Sequence, residues 1–236
     1  NWLEKAQSLN DRVLLGGLSG GATLAAWLAL EHPQQVDRSL LFAPYLAGTN
    51  AFVDWVVERM NVYFKWKTQP GAASFGYEGF QMPALRTFLV MGQDVLDRAK
   101  VQPAAPLLLV SSASDHAVDS KEHQELFQSA LQFQPRCWYH CFDRALAIGH
   151  NMMTKAEGNE RADLPIAIAK AYAESDLTWK EVTTLSDRLQ QGEPLEAIAA
   201  QLNLNQRQPS DLPALLTTLQ LIAQTPNELK PHRDKG

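Results

Sequence analysis

A serine in a glycine-rich pentapeptide has the clearest chemical potential in this sequence. The residues Gly17-Leu18-Ser19-Gly20-Gly21 fit the pattern G-x-S-x-G, in which a sharp turn between a strand and a helix exposes a nucleophilic serine. Such a turn also directs the backbone N–H of Gly20 toward the oxyanion that forms when a serine attacks a carbonyl, and the positive end of the following helix adds to the effect. A Gly/Ser turn also occurs by chance in many loops. The motif therefore indicates a nucleophile only if the sequence also offers a base and an acid in suitable positions.

His150 is the histidine whose position suits a base for Ser19. It lies in a loop after the apolar run 137–142, and loops that follow the strands of a parallel sheet gather at one edge. The other histidines lie at a helix end, in a helix, in a strand, in the polar tail or too early in the chain: His32, His123, His140, His232 and His116. His150 alone has the required order and setting.

Asp115 is the favoured acid for orienting His150. It comes directly after the apolar run 106–112 and precedes His150, which gives the order Ser, Asp, His. Asp119 lies four residues further on, but it adjoins the start of a predicted helix, where a carboxylate caps N–H groups. The pattern therefore favours Asp115 and keeps Asp119 as the alternative.

Alternating strands and helices must position these residues. Apolar runs predict strands at 12–17, 38–43, 106–112 and 137–142, and helical periodicity predicts helices at 22–30, 82–100, 120–131 and 164–173. This alternation predicts an α/β fold with a mostly parallel sheet. We expect a core domain at 1–175.

Two segments depart from the alternation. Residues 46–83 are irregular and aromatic, which predicts a cap insertion that serves as a lid or a binding wall. Trp55 and Phe64 of this insertion, together with Leu18, are candidate substrate-binding residues. Residues 176–236 contain only helical pieces and predict an appended helical region. Within it, residues 196–202 resemble the first helix of a helix-turn-helix, but no basic recognition helix follows, so we favour a packing hairpin there.

The composition argues against several classes of partner. Of the 236 residues, 45% are hydrophobic, which is enough for a sizeable core. The net charge is −5, and the sequence has no cluster of basic residues that could bind phosphates. We therefore expect no nucleic-acid partner.

No apolar run is long enough to predict a transmembrane segment. Cys137 and Cys141 are predicted to be packed cysteines of one strand, with a Cys/His metal site as the weaker alternative, and we expect no metal and no organic cofactor.

The start of the sequence predicts a processed or incomplete chain. Asn1 is not a methionine, and the residues that follow have neither the basic patch nor the apolar stretch of a signal peptide. We expect an upstream part to be missing and a cytoplasmic location, which the small number of cysteines favours. The sequence does not predict the oligomeric state.

Taken together, the motifs resemble those of the α/β-hydrolases, in the group of esterases, lysophospholipases and serine peptidases. The resemblance covers about residues 11–175 and is carried by the Ser19 pentapeptide, the segment 115–118 and the pair Gly149-His150. In that family a cap commonly follows the strand after the nucleophile helix, where 46–83 stands. The resemblance implies that the family's first strands and the loop with its second oxyanion donor would precede Asn1, so we expect them in the missing upstream part.

The resemblance implies a serine hydrolase that cleaves an ester-like bond, in a carboxylic ester or a lysolipid, through an acyl-enzyme on Ser19. A small-molecule ester or lipid-like substrate with an apolar acyl or aryl part is therefore expected. Because fold and triad do not choose the leaving group, a peptidase, a thioesterase or an acyltransferase remains open, as does a non-catalytic binding protein.

Overall fold

A computed structural model of the protein describes residues 2–47, 51–65 and 78–204, with residues 51–54 described by their backbone alone. The strands in this part of the chain are β1 (Leu14–Leu18), β2 (Arg38–Phe42), β3 (Tyr63–Lys65), β4 (Gly79–Gln81), β5 (Leu107–Ser112) and β6 (Trp138–Phe142). The α-helices are α1 (Trp2–Gln7), α2 (Gly20–Glu31), α3 (Ala51–Arg59), α4 (Met82–Ala99), α5 (Ser120–Phe133), α6 (Asp163–Glu174), α7 (Trp179–Gln190) and α8 (Leu195–Gln201).

A parallel sheet of four strands forms the centre of the fold, in the order β1-β2-β5-β6. Every neighbouring pair in this sheet is parallel, so the carboxyl ends of all four strands lie at one edge. The expected α/β class with a mostly parallel sheet is confirmed. This edge is where ligands bind in open α/β sheets.

Side chains of β5 alternate between two cores. Leu108 and Val110 belong to one hydrophobic cluster, whereas Leu107 and Leu109 belong to another. Successive side chains of a strand point to opposite faces, so both faces of the sheet are covered, as in most parallel sheets. Helices α2, α4 and α5 bury residues in the second cluster, and α6, α7 and α8 bury residues in the first.

The segment 46–83, which we expected to be irregular, contains regular structure where it is described. Helix α3 is followed by β3, which pairs antiparallel with β4, and the rings of Phe64 and Phe80 lie 5.4 Å apart. Strands of three residues are too short to show an alternating pattern, which is why the sequence did not predict them. Residues 48–50 and 66–77 lie outside the described residues, and the role of the segment as a cap remains a prediction.

Helices α7 and α8 pack on the same cluster as the sheet. Leu185 and Ile198 are fully buried in the cluster that contains Val110 of β5. Trp138 of β6 donates a hydrogen bond from Nε1 to the carbonyl of Leu177 at 2.9 Å. The segment 177–204 therefore shares a core with the sheet, and the rest of the predicted helical region, from residue 205, lies outside the described residues.

Within the described ranges, no helix combines the length and the apolar character needed to cross a membrane. The same ranges hold no group of three or more His, Cys, Asp or Glu side chains arranged to bind a metal ion. Cys137 and Cys141 are both free thiols.

Candidate active site

Ser19 occupies a strained turn between β1 and α2. Its backbone has φ of 56° and ψ of −123°, a positive φ that side chains other than glycine seldom adopt. Such a conformation costs on the order of 1–3 kcal/mol and persists only where the surroundings hold it. The Ser19 side chain is therefore presented by a backbone that the local sequence alone does not favour.

Hydrogen bonds from neighbouring segments hold this turn. The N–H of Ser19 donates to the carbonyl of Phe42 at 2.9 Å, and the Ser19 carbonyl accepts from the N–H groups of Ala22 and Thr23, each at 3.0 Å. The N–H of Tyr45 adds a longer bond of 3.3 Å to the same carbonyl. The hydroxyl of Thr23 donates to the carbonyl of Tyr45 at 2.7 Å, so the segment after β2 is tied to the turn and to α2.

Gly17 is required by the close approach of β1 and α2. A Cβ on Gly17 would lie 2.3 Å from the carbonyl carbon of Gly21 and 2.6 Å from the nitrogen of Ala22, which no folded backbone tolerates. At Gly21, by contrast, a Cβ would meet nothing within 4 Å. A glycine is thus required for steric reasons at position 17 and not at position 21.

Gly20 begins α2, and its N–H has no acceptor among the described residues. The first N–H groups of a helix have no partner within the helix and carry partial positive charge. A donor group for a developing oxyanion is therefore available directly after Ser19. A Cβ on Gly20 would lie 3.2 Å from the ring of Phe88 on α4, so this aromatic side chain borders the turn.

Asp115 and His150 form a hydrogen-bonded pair. The Nδ1 of His150 lies 2.8 Å from Oδ2 of Asp115, and the two side chains are 18% and 2% exposed. Because a carboxylate only accepts, Nδ1 carries the proton and Nε2 is the acceptor in the neutral ring. The other carboxylate oxygen, Oδ1, accepts the N–H of Ala117 at 2.8 Å, so the carboxylate is held in place from both sides.

Ser19 and His150 are not joined by a hydrogen bond in the described part of the chain. Ser19 follows β1, Asp115 follows β5 and His150 follows β6, so all three stand beyond the same edge of the sheet. The structure thus joins Asp115 and His150 by a hydrogen bond, and within the described residues no such bond joins Ser19 to His150. Catalytic hydrogen bonds are often long in the absence of substrate.

Asp119 caps the start of a helix, which is the role that the sequence analysis set against a role as the acid. It is the N-cap of α5, and its side chain accepts the N–H of Lys121 at 2.9 Å. Its carboxylate is therefore engaged with the helix start, whereas Asp115 is the carboxylate bound to His150.

His123 is a buried residue near this site that the sequence did not single out. Its Nε2 lies 2.8 Å from the carbonyl of Pro44, and its Nδ1 lies 2.6 Å from the hydroxyl of Ser111. Since the carbonyl can only accept, Nε2 carries the proton and the hydroxyl donates to Nδ1. Burial lowers the pKa of His123 to about 4, so the ring stays neutral and supports the segment that holds the Ser19 turn.

The three candidate substrate-binding residues differ in their surroundings. Leu18 is partly buried and packs against the cluster that contains Val110, directly before Ser19. Trp55 and Phe64 are 50% and 42% exposed, and Arg59 lies over the ring of Trp55 at 5.6 Å. None of these contacts tests a role in binding, which remains a prediction for all three.

Solved structures of lipolytic enzymes are similar to this chain. A monoacylglycerol lipase from Paleococcus ferrophilus matches with a TM-score of 0.54 at 15% identity, over 72% of this chain and 71% of that chain. The chain has the α/β-hydrolase fold. At this level of identity the similarity establishes the α/β-hydrolase fold alone.

Two further solved structures match less well. A metagenome-derived lipolytic enzyme (LipS or LipT) has a TM-score of 0.49 and 14% identity, over 60% of this chain and 58% of that chain. A monoglyceride lipase from Saccharomyces cerevisiae has a TM-score of 0.47 and 12% identity, over 70% of this chain and 67% of that chain. The chain thus spans 58% of the length of the metagenome-derived enzyme. No protein-family model matches the sequence, and no curated protein matches it.

Proposed function

We propose that the protein is a serine hydrolase that cleaves a carboxylic ester through an acyl-enzyme on Ser19. The observation that carries this proposal is the 2.8 Å hydrogen bond between His150 and the buried carboxylate of Asp115. It lies beyond the same sheet edge as a serine with positive φ at a helix N-terminus. This combination supplies a nucleophile, a base with a defined tautomer and an oxyanion donor.

The proposed reaction has two halves. Nε2 of His150 takes the proton from Ser19 Oγ while the oxygen attacks the ester carbonyl, and the N–H of Gly20 donates to the resulting oxyanion. The imidazolium, stabilised by Asp115, then protonates the leaving alkoxide as the C–O bond of the ester breaks. Water, deprotonated by His150, attacks the acyl-enzyme, and the proton returns to Ser19 as the carboxylic acid leaves.

Apolar side chains near the turn support a substrate with an apolar acyl part. Phe88 borders Gly20, and Leu18 precedes the nucleophile. Exposed aromatic residues of the 46–83 segment add further apolar surface, and ligand sites are lined mostly by apolar and aromatic side chains. The similar solved structure is named a monoacylglycerol lipase, and we propose a medium-chain ester or a lysolipid as the substrate of this chain.

Covalent labelling tests the nucleophile directly. The purified full-length protein is treated with a fluorophosphonate probe, and the labelled peptide is identified by mass spectrometry. We expect the label on Ser19, its loss in Ser19→Ala, and normal labelling in Ser8→Ala, which alters an exposed serine of the N-terminal segment. In parallel, Ser19→Ala should reduce the hydrolysis of p-nitrophenyl butyrate and decanoate to near background.

The same assays separate the alternatives. If Ser19→Ala keeps most of the turnover, or if the label is found on another residue, the proposed nucleophile is wrong. A folded protein that takes up no label and hydrolyses no ester would contradict the proposed function and would favour a non-catalytic binding protein. Faster product release on addition of an alcohol acceptor, with transfer of the acyl group to it, would make acyl transfer the main reaction.

A further inference from the structure

Ser112, the last residue of β5, has a buried side chain that contacts two loops of the candidate site. It is 4% exposed, and its hydroxyl lies 2.5 Å from the carbonyl oxygen of Ile148. The N–H of Ser114 lies 3.2 Å from the same hydroxyl oxygen. Both contacts are hydrogen bonds, and they use the hydroxyl as donor and as acceptor.

The direction of each bond is fixed by chemistry. The carbonyl of Ile148 can only accept, so the Ser112 hydroxyl donates its proton to it, and a lone pair of the oxygen receives the N–H of Ser114. Ile148 is fully buried. Only one orientation of the Ser112 hydroxyl makes both hydrogen bonds, so these two partners fix the side chain.

The two contacted loops are those that carry the acid and the base. Ser114 directly precedes Asp115, whose N–H also donates to the carbonyl of Ser112 at 3.1 Å. Ile148 lies two residues before His150. The loops are also joined through Arg144, by bonds of 3.2 and 3.4 Å that are exposed, where water competes with them. The Ser112 hydroxyl adds a buried side-chain link between the two loops.

We propose that Ser112 is a positioning residue whose hydroxyl fixes the acid loop against the base loop and thereby aligns His150 with Asp115. This rests on the proposed function, in which that pair activates Ser19. The hydroxyl of Ser112 bonds to backbone groups of Ile148 and Ser114 and not to one of the proposed reacting atoms. Its effect passes through the carbonyl of Ile148 and the backbone leading to His150.

Removal of the hydroxyl should therefore act on catalysis more than on binding. In Ser112→Ala the carbonyl of Ile148 loses its donor, so the loop that carries His150 shifts toward other partners. Displacement of a catalytic group by about 1 Å costs up to roughly 100-fold in rate. We expect kcat to fall by about 10- to 100-fold with little change in KM.

A matched control is available in the same sheet. Ser39 of β2 is fully buried, and its hydroxyl has no hydrogen-bond partner within the described residues. Ser39→Ala removes the same atom from an equally buried strand without breaking a hydrogen bond. It should leave kcat, KM and the His150 signal unchanged.

The decisive experiment compares wild type, Ser112→Ala and Ser39→Ala by proton NMR and by ester turnover. The Nδ1 proton of His150, bound to Asp115, should give a strongly deshielded resonance that is absent in His150→Gln. In Ser112→Ala this resonance should shift or broaden and exchange faster with solvent. When combined with Asp115→Asn, Ser112→Ala should reduce kcat far less than it does alone, because the pair it aligns is already broken.

The outcomes separate the positioning role of Ser112 from the proposed function. A wild-type resonance and a wild-type kcat in Ser112→Ala would overturn the proposal, as would full additivity with Asp115→Asn or the absence of the resonance from wild type. If wild type shows the resonance but hydrolyses no ester, the proposed function fails, and the resonance still decides the positioning role. If Ser112→Ala does not fold, Ser112→Cys replaces it with a group of similar size that donates weakly, and the same criteria apply.

Discussion

Replacement of Gly17 by alanine tests whether the Ser19 turn depends on the close approach of β1 and α2. The added Cβ would lie 2.3 Å from the carbonyl carbon of Gly21, whereas ordinary contact begins at 3.4 Å, so the two elements must separate by the difference, about 1.1 Å. The obstacle is backbone, which cannot rotate away as a side chain can. The start of α2 must therefore move relative to β1.

Both stability and activity should fall in this variant. An extra methyl group forced into a tightly packed site costs about 1–3 kcal/mol, which corresponds to about 2–12 °C in melting temperature for a protein of this size. The same movement displaces the N–H of Gly20 and strains the bond between Thr23 and Tyr45. Displacement of this size lowers turnover by up to roughly 100-fold.

Gly21→Ala is the matched control. The new methyl group would meet nothing within 4 Å, and alanine favours a helix over glycine by roughly 0.5–1 kcal/mol. We expect a melting temperature equal to or above that of wild type and normal labelling of Ser19. Thermal unfolding followed by circular dichroism and the rate of fluorophosphonate labelling measure the two effects. If Gly17→Ala melts and labels like wild type, the steric account of the turn is wrong.

Two further predictions concern the carboxylates and the buried histidine. Asp115→Asn should lower turnover on the order of 10⁴-fold, whereas Asp119→Asn should cost about 1 kcal/mol or less of stability through the start of α5 and little turnover; the opposite pattern in turnover and melting assays would transfer the acid role to Asp119. Burial lowers the pKa of His123 from 6.5 to about 4, so between these pH values the unfolded chain binds a proton that the folded chain does not. Stability should thus fall by on the order of 3 kcal/mol as the pH drops through this window. Urea unfolding at several pH values measures how the free energy of unfolding falls with pH in wild type and in two variants. This fall should be shallower than in wild type for His123→Gln and equal to wild type for His116→Gln, which alters an exposed residue. Equal slopes in all three proteins would contradict this account.

The sequence predicted those parts of the fold that depend on local pattern. The apolar run at 106–112 became β5 (Leu107–Ser112), and the helical period at 82–100 became α4 (Met82–Ala99). Ser19, Asp115 and His150 were selected by their order relative to such runs. The contact between Asp115 and His150 follows from the rule that parallel strands present their carboxyl ends at one edge.

Contacts between distant segments could not be predicted in this way. Ser112 and Ile148 are 36 residues apart, and His123 and Pro44 are 79 apart; no spacing rule connects such pairs. Phe88 looked like an ordinary residue of a helix, because its contact with Gly20 depends on how α4 packs across α2. The sequence therefore predicted candidate reacting groups, whose roles stay a proposal, whereas the residues that contact and support them required the tertiary structure.

The shared core of the sheet and the segment 177–204 bears on where this protein can be shortened. A chain ending at residue 175 would lose the buried side chains of Leu185 and Ile198 and would expose the face of the sheet that carries Val110. The cluster would lose six buried Leu, Ile and Val side chains, those of Leu177, Val182, Leu185, Leu195, Ile198 and Leu204. Each contributes about 1.5–3 kcal/mol when buried, so the loss of about 9–18 kcal/mol would be as large as the whole stability of a typical domain, which is about 5–15 kcal/mol. Limited proteolysis should therefore leave α7 and α8 attached, and gene fusion or insertion at this point would divide one folding unit.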